Sequence, residues 1–183
     1  MKSKNFLPKF YYNSVFVIPY SEFYKKGIRS LFFDLDNTLL SPSENKLTLQ
    51  TVKLLKKLNK KFQVVILSNA SKRKLEKIIK YDFFYVYLNI YQKKPSLFGF
   101  KKALNLVNSS SDKVVMIGDQ LRTDIYGANK MKIISILVKP LNRKKEFLFT
   151  KISRFFIENV FINKVKKEDS LLYEKKFKNF IET

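Results

Sequence analysis

Neither cysteine nor histidine occurs in the 183 residues of this chain. The first absence excludes disulfides and thiolate metal sites. The second excludes imidazole catalysis and histidine-ligated zinc. Any enzyme chemistry must then come from carboxylates, hydroxyls, lysines or a hard metal ion. Glycine is scarce, at four residues, and acids are few, at 15. No apolar run approaches the roughly 18 residues that span a bilayer. Lys2 and Lys4 lie near the start, but Pro8, Lys9 and Asn13 interrupt any signal-like apolar segment. The expectation is a cytoplasmic protein. Internal repeats and low-complexity linkers are also missing.

What is present suffices for a core. Hydrophobic residues make up 45%, ordinary for a globular chain of one domain, with or without an extra arm. The formal net charge is +22. Such a balance invites a polyanion, either nucleic acid or an anionic membrane. Only five of the 37 basic residues are arginine: Arg29, Arg73, Arg122, Arg143 and Arg154. The lysine excess accompanies many Asn, Ile, Phe and Tyr, all with AT-rich codons. Codon bias therefore explains most of the charge, and position must decide the rest.

Residues 5–28 are aromatic and broken by Pro8 and Pro19, which reads as an irregular arm packed on the domain. Ser30 to Phe33 is a short apolar run ending at Asp34, a buried strand by length and composition. Apolar spacing predicts a helix from Leu47 to Leu58, capped by Thr48. Phe62 to Leu67 is a second strand, ending at Ser68 and Asn69. Ser71 opens a basic helix through Ile79, and Phe83 to Leu88 is a third strand. Pro95 opens a helix to about Val107. Lys113 to Ile117 is a fourth strand ending at Gly118-Asp119. A short helix over Thr123 to Met131 leads to a fifth strand, Ile133 to Val138, stopped by Pro140. Alternating strands and helices predict an α/β fold: a three-layer, doubly wound parallel sheet. Ligands bind at the carboxyl ends of such strands. The division expected is an arm over 1–29, a core over 30–139 and a tail over 140–183.

The residues after those strands carry the chemistry. Asp34 and Asp36, at i and i+2, can face the same way, which is costly without a cation or a proton. Alone, Asp-x-Asp-x-Thr is a turn or a helix cap. Gly118-Asp119-Gln120-Leu121-Arg122-Thr123-Asp124 adds a second acidic pair at another strand end. An acidic cap accounts for each aspartate singly. It does not account for both pairs falling at strand ends in a chain poor in acids. A hard divalent ion such as Mg²⁺ resolves the repulsion. Ser68 and the backbone N–H groups after it suit a phosphate oxygen. Lys94 gains interest only from its place in the order.

That order is Asp-x-Asp, Ser, Lys, then Gly-Asp with a second Asp. It resembles the haloacid dehalogenase (HAD) superfamily of phosphatases over residues 30–139. Asp34-Leu35-Asp36-Asn37-Thr38-Leu39, Lys94-Pro95 and Gly118-Asp119-Gln120 through Asn129 resemble the YqeG family of subclass IIIA. That family is similar to phosphatidylglycerophosphate phosphatases. The opening, Leu7-Pro8-x-Phe10-Tyr11 to Gly27-Ile28-Arg29, fits as well, and the tail matches less distinctly. The resemblance implies the following roles. Asp34 is the nucleophile that forms an aspartyl-phosphate, and Asp36 is the acid and then the base. Ser68 and Lys94 hold the phosphoryl oxygens, with Lys93 the rival lysine and Pro95 favouring Lys94. Mg²⁺ sits on Asp34, Asp119 and the Asp36 main-chain carbonyl, with Asp124 a direct or water-mediated ligand. Asn37, Thr38 and Asn69 complete the substrate contacts: Asn37 N–H as a phosphate donor, and Asn37 and Thr38 as loop shapers.

Only 31 residues separate Asp36 from Ser68, and 25 separate Ser68 from Lys94. Neither interval holds a cap domain, so the site is open and suits a phosphate carried on something large. Phosphatidylglycerophosphate is the substrate that the resemblance implies. The alternatives are a phosphatase of nucleic-acid ends or phosphoproteins, and a basic nucleic-acid-binding adapter without catalysis. The four motifs weigh against the adapter, as does the lack of a nucleic-acid-binding motif. In the tail, Leu148, Ile152, Phe155, Phe156 and Val160 fall at helical spacing among Lys144, Lys145, Lys151 and Arg154. A basic amphipathic helix is a membrane-surface signal, so peripheral contact with the inner face of an anionic membrane is one expectation. The simpler expectation, preferred by a small margin, is that the helix packs its apolar face on the domain.

Overall fold

The fold is described from a computed structural model, over residues 3–79, 83–146 and 148–181. Both ends of the expected arm-and-tail division, and Phe147 within the tail, lie outside these residues. Six parallel strands form one sheet in the order β1-β6-β5-β2-β3-β4. These are β1 (Phe10–Tyr12), β2 (Ser30–Phe33), β3 (Gln63–Leu67), β4 (Phe84–Val86), β5 (Val114–Gly118) and β6 (Ile134–Val138). The sheet is doubly wound. In β2, Phe33 lies opposite Ile66 of β3 and Ile117 of β5, which fixes the central register.

Successive strand residues feed opposite layers, as the strand period of two requires. Leu31, Phe33, Val64, Ile66, Val115 and Ile117 enter one core with α1 (Tyr20–Lys25), α2 (Leu49–Asn59) and α3 (Lys72–Ile79). Phe32, Val65, Leu67, Val114 and Met116 enter the other with α4 (Leu97–Leu106) and α5 (Tyr126–Lys130). Because both faces are covered, the strands read as unbroken apolar runs. Thr48 caps α2, its hydroxyl accepting from Thr51 N, and Ser71 accepts from Lys74 N at the start of α3. Helix α4 starts at Leu97 and not at Pro95, with Ser96 as its cap, accepting from Phe98 N.

Two segments differ from expectation. The arm does more than pack on the domain: β1 pairs with β6 from Phe10↔Ile136 to Tyr12↔Val138 and becomes an edge strand. Three half-buried aromatics offer no alternation by which to recognise a strand. The tail forms α6 (Leu148–Ser153), a π-helical turn (Arg154–Glu158) and α7 (Asn159–Glu168) as one rod. After Asp169 come α8 (Ser170–Tyr173), a second π-helical turn (Glu174–Lys178) and α9 (Asn179–Ile181). Phe177 and Phe180 are fully buried with Ile162, Leu137, Ile125 and Phe6 in a third core. Each buried phenylalanine contributes about 1.5–3 kcal/mol. Arg143 adds a hydrogen bond of 2.8 Å to Phe180 O.

The expected burial of the tail's apolar stripe is reversed. Leu148, Phe155, Phe156 and Val160 are each more than 60% exposed, and Ile152 is 47% exposed. The opposite face turns inward, carrying Arg154, Glu158, Ile162 and Val165. Arg154 is therefore not one of the surface charges around the stripe. It finds buried carboxylates at the sheet's edge, and those partners outweigh the gain from burying the stripe.

Candidate active site

The site grows from the carboxyl ends of β5, β2 and β3, which are neighbours in the sheet. Asp34 follows β2 directly, and its N–H extends the ladder to Ile117 O at 2.9 Å. Asp119 follows β5, and Ser68 follows β3. Gly118 makes room for the fourth carboxylate: a Cβ there would lie 2.3 Å from Asp124 Oδ2. That close approach explains the glycine. The next turn, Leu121–Ile125, brings Asp124 back, and Asp124 Oδ2 accepts from Gln120 N at 3.1 Å.

Asp34, Asp119 and Asp124 are buried and offer carboxylate oxygens within 4.8 Å of one another. Lys94 Nζ lies among them, donating to Asp34 Oδ1 at 2.7 Å and to Asp124 Oδ1 at 2.6 Å. Lys93 is exposed, so of the two lysines it is Lys94 that stands among the carboxylates. The Asp36 carboxylate stays outside the cluster. It is half-buried and ion-paired with Lys74 of α3, which leaves Asp36 only its main-chain carbonyl to offer toward a metal. Ser68 is buried, its Oγ accepting from Ala70 N at 3.2 Å.

Three polar residues expected at the substrate are engaged elsewhere. Asn37 adopts φ +66°, a left-handed conformation that Asn tolerates. Its N–H donates to Leu40 O at 2.7 Å, which removes it as a phosphate donor. Its side chain donates to Glu146 Oε1 at 2.9 Å and accepts from Asn142 N at 2.8 Å, tying the loop to the tail. Thr38 Oγ1 donates to Asp119 Oδ1 at 3.1 Å. Asn69 exchanges two hydrogen bonds with the Lys94 backbone, at 2.7 and 3.0 Å. All three hold other residues in place, and Asn69, unlike Asn37 and Thr38, also lines the cleft above the carboxylates.

The tail supplies residues that the motifs do not include. The Arg154 guanidinium pairs with Asp119 Oδ2, with Glu146 at 3.0 Å and with Glu158 at 2.8 Å, and donates to Asp119 O at 2.9 Å. Glu158 in turn accepts from Leu121 N at 2.7 Å, capping the turn that presents Asp124. In the sequence these are one arginine and two glutamates of a basic tail. Their i, i+4 spacing at Arg154 and Glu158 was the available signal, and it is shared by ordinary surface pairs.

Among the described residues, five buried carboxylates (Asp34, Asp119, Asp124, Glu146 and Glu158) face two buried cations, Lys94 and Arg154. The imbalance bears on the proton affinities of these groups. Burial pushes the Asp34 carboxyl well above its ordinary value against the pull of Lys94, and Asp124, Asp119 and Asp36 add to the rise. Burial also lifts Asp119 to about 7, against Arg154 and with help from Asp124, Glu146 and Glu158. The Lys94 ammonium is disfavoured by burial, but Asp124 and Asp34 outweigh this and raise its pKa. The uncompensated negative charge, and a buried Asp34 Oδ2 without a hydrogen-bond partner, suit a hard divalent cation. The donor set therefore fits Mg²⁺.

Above the carboxylates opens a cleft of about 570 Å³. Asp36, Ser68, Lys74 and Lys94 line one part of it, and Arg122, Phe149, Thr150 and Ser153 another. Neither inter-motif interval holds an inserted cap among the described residues, yet the edge is not bare, because α6 forms a wall. A second concavity, of about 710 Å³, lies at the opposite edge near Arg29, Lys60, Lys61 and Lys113. It contains no carboxylate, so the chemistry belongs to the first.

Fold and carboxylate cluster together define a HAD-type phosphatase. A phosphatase of that superfamily from Thermococcus onnurineus superposes with a TM-score of 0.53 at 14% identity, covering 66% of this chain and 89% of its own. A HAD family enzyme from Bacteroides thetaiotaomicron, in complex with magnesium and inorganic phosphate, gives 0.52 at 16% identity, covering 63% and 96%. At such identities the likeness establishes the fold. A family model described as "Mitochondrial PGP phosphatase" matches residues 1–142, and the chain belongs to that family. It is also 25% identical over 178 residues to "Probable phosphatase YqeG" of Bacillus subtilis (strain 168), covering 95% of this chain and 99% of that one.

Proposed function

We propose that this phosphatase removes the terminal phosphate of phosphatidylglycerophosphate at an anionic membrane surface. The observation that carries the lipid reading is the tail. Phe149 lines the cleft, and the same helical rod carries the exposed stripe from Leu148 to Val160, with exposed Lys144, Lys145 and Lys151 nearby in the chain. An apolar stripe edged with lysines beside an active site suits a bilayer with acidic head groups. The family description supports the same substrate. No helix among the described residues is long and apolar enough to cross a membrane, and the contact proposed is peripheral.

Asp34 attacks phosphorus, the bond from phosphorus to the lipid oxygen breaks, and Asp36, entering this step in its protonated form and released from Lys74, gives that oxygen its proton. Water then attacks the aspartyl-phosphate while Asp36 takes its proton, releasing phosphate and restoring Asp34. Lys74 keeps the Asp36 carboxylate at the cleft. Lys94 uses two of its three N–H bonds on Asp34 and Asp124, leaving one for a phosphoryl oxygen. Ser68 can donate its hydroxyl proton to another. Asp34, Asp119 and Asp124, with the Asp36 carbonyl, would hold Mg²⁺, which supplies Lewis-acid neutralisation of the phosphoryl charge.

The test is phosphate release from phosphatidylglycerophosphate vesicles, small phosphate esters, 3′- and 5′-phosphorylated oligonucleotides and a phosphopeptide, with and without chelator. The lipid is expected to be the best substrate, with activity lost in chelator and restored by Mg²⁺. Asp34→Asn is expected to reduce turnover about a thousandfold or more with folding intact. A preference for oligonucleotides, steeply weakened by salt, would replace the lipid reading with the nucleic-acid one.

A further inference from the structure

We infer that Arg122 recognises a second phosphate of the substrate, apart from the scissile one. The inference rests on the phosphatase reading and deepens it by naming what else the substrate must carry. Arg122 stands between the carboxylates Asp119 and Asp124, on the turn Leu121–Ile125. Leu121 and Asp124 point inward and are buried. Arg122 is half-buried and lines the cleft.

The other strongly held cations at this site are already matched. Lys94 lies between Asp34 and Asp124, Lys74 is paired with Asp36, and Arg154 is shared among three carboxylates. Among the described residues no carboxylate pairs with Arg122. Its contacts come from α6: Nη1 lies 3.5 Å from Ser153 Oγ, and the guanidinium carbon lies 5.9 Å from the Phe149 ring centroid. The tail thus steadies the side chain without neutralising it. Lys93 is a further cation lining the cleft, but as an exposed, flexible ammonium it offers a point charge, not a fork.

A planar guanidinium on the wall of a cleft, positioned but unpaired, matches an oxyanion by two parallel hydrogen bonds. The scissile phosphate is provided for by Lys94, Ser68 and the cation that the carboxylates would hold. Arg122 belongs to a different wall, shared with α6, so its charge serves a second anion farther along the substrate. The exposed ring of Phe149, next in the chain to Leu148 of the apolar stripe, lies beside it. A second phosphate can come from a lipid head group or from a free bisphosphate.

Calorimetric binding to the Asp34→Asn protein in Mg²⁺ tests this without turnover. The probes are glycerol 1-phosphate and glycerophosphoglycerol phosphate, the deacylated head group with a second phosphate. The head group is expected to bind more tightly. Arg122→Ala in the same background is expected to erase about ten- to a hundredfold of that preference. Arg122→Lys, which keeps the charge without the fork, is expected to restore part of it. Equal affinity for the two probes, or a preference that survives Arg122→Ala, overturns the assignment. Phosphate release by the wild-type enzyme is the separate check on the underlying reading, since release from neither compound would sink the phosphatase proposal. A loss in Arg122→Ala that is as large on phosphatidylglycerophosphate vesicles as on the soluble head group identifies the lipid as the source. A loss confined to the soluble compound identifies a free bisphosphate.

Discussion

The two faces of the rod at residues 148–168 obey opposite rules. One carries Leu148, Ile152, Phe155, Phe156 and Val160 and faces solvent. The other carries Arg154 and Glu158, both nearly inaccessible, before it turns apolar at Ile162 and Val165. Burying an arginine and leaving five apolar side chains in water inverts the usual partition. The inversion is tolerable because Arg154 meets three carboxylates and a main-chain carbonyl. A buried charge is costly unless it is paired and fully hydrogen-bonded. The inner face is therefore specified by the active site, and the outer face is left free to meet something else.

The largest expected effect breaks the inner face. Arg154→Met removes the shared cation and leaves Asp119, Glu146 and Glu158 buried without it. Losing one partner of such a network costs about 3–5 kcal/mol, measurable as a lower midpoint in urea unfolding. Mg²⁺ affinity is expected to fall with it, because Asp119 loses the group that orients it. A variant as stable as the wild type would mean that the network contributes little.

A smaller effect sharpens the outer face. Replacing Lys144, Lys145 and Lys151 together by glutamine is expected to weaken binding to anionic vesicles by about 1 kcal/mol per lysine near the surface. Activity on a small soluble ester is the control that separates membrane capture from chemistry. Arg154 does not belong in that substitution set, because its buried position makes it part of the site. Equal losses on vesicles and on the soluble ester would show that these lysines support the fold.

The smallest effect concerns stability. Phe155→Asp with Phe156→Asp alters two exposed rings, stacked edge to face at 5.1 Å. Each change is expected to shift unfolding by no more than about 0.5 kcal/mol while reducing vesicle association. A drop of several kcal/mol would show that the outer face is covered in solution.

Much of this protein could be read from residue order alone. Strands β2, β3, β5 and β6 announce themselves as short apolar runs, since strands covered on both faces need no polar alternation. Asp34, Ser68 and Asp119 follow from those runs, because the residue after a parallel strand lies at the binding edge. The order of the four motifs then identifies the superfamily. The rest depended on assembly. Strand β1 is three aromatic residues whose pairing with β6 is fixed by chain closure across more than a hundred residues. Choosing Lys94 over Lys93, and diverting Asn37 to the tail, required the loops to be in place. Arg154 was hidden most completely. Hydrophobic periodicity reports which face of a helix prefers to leave water, and that preference is local. Whether a charged face can be buried depends on carboxylates up to 35 residues away in the chain, and only the folded sheet edge brings them within reach.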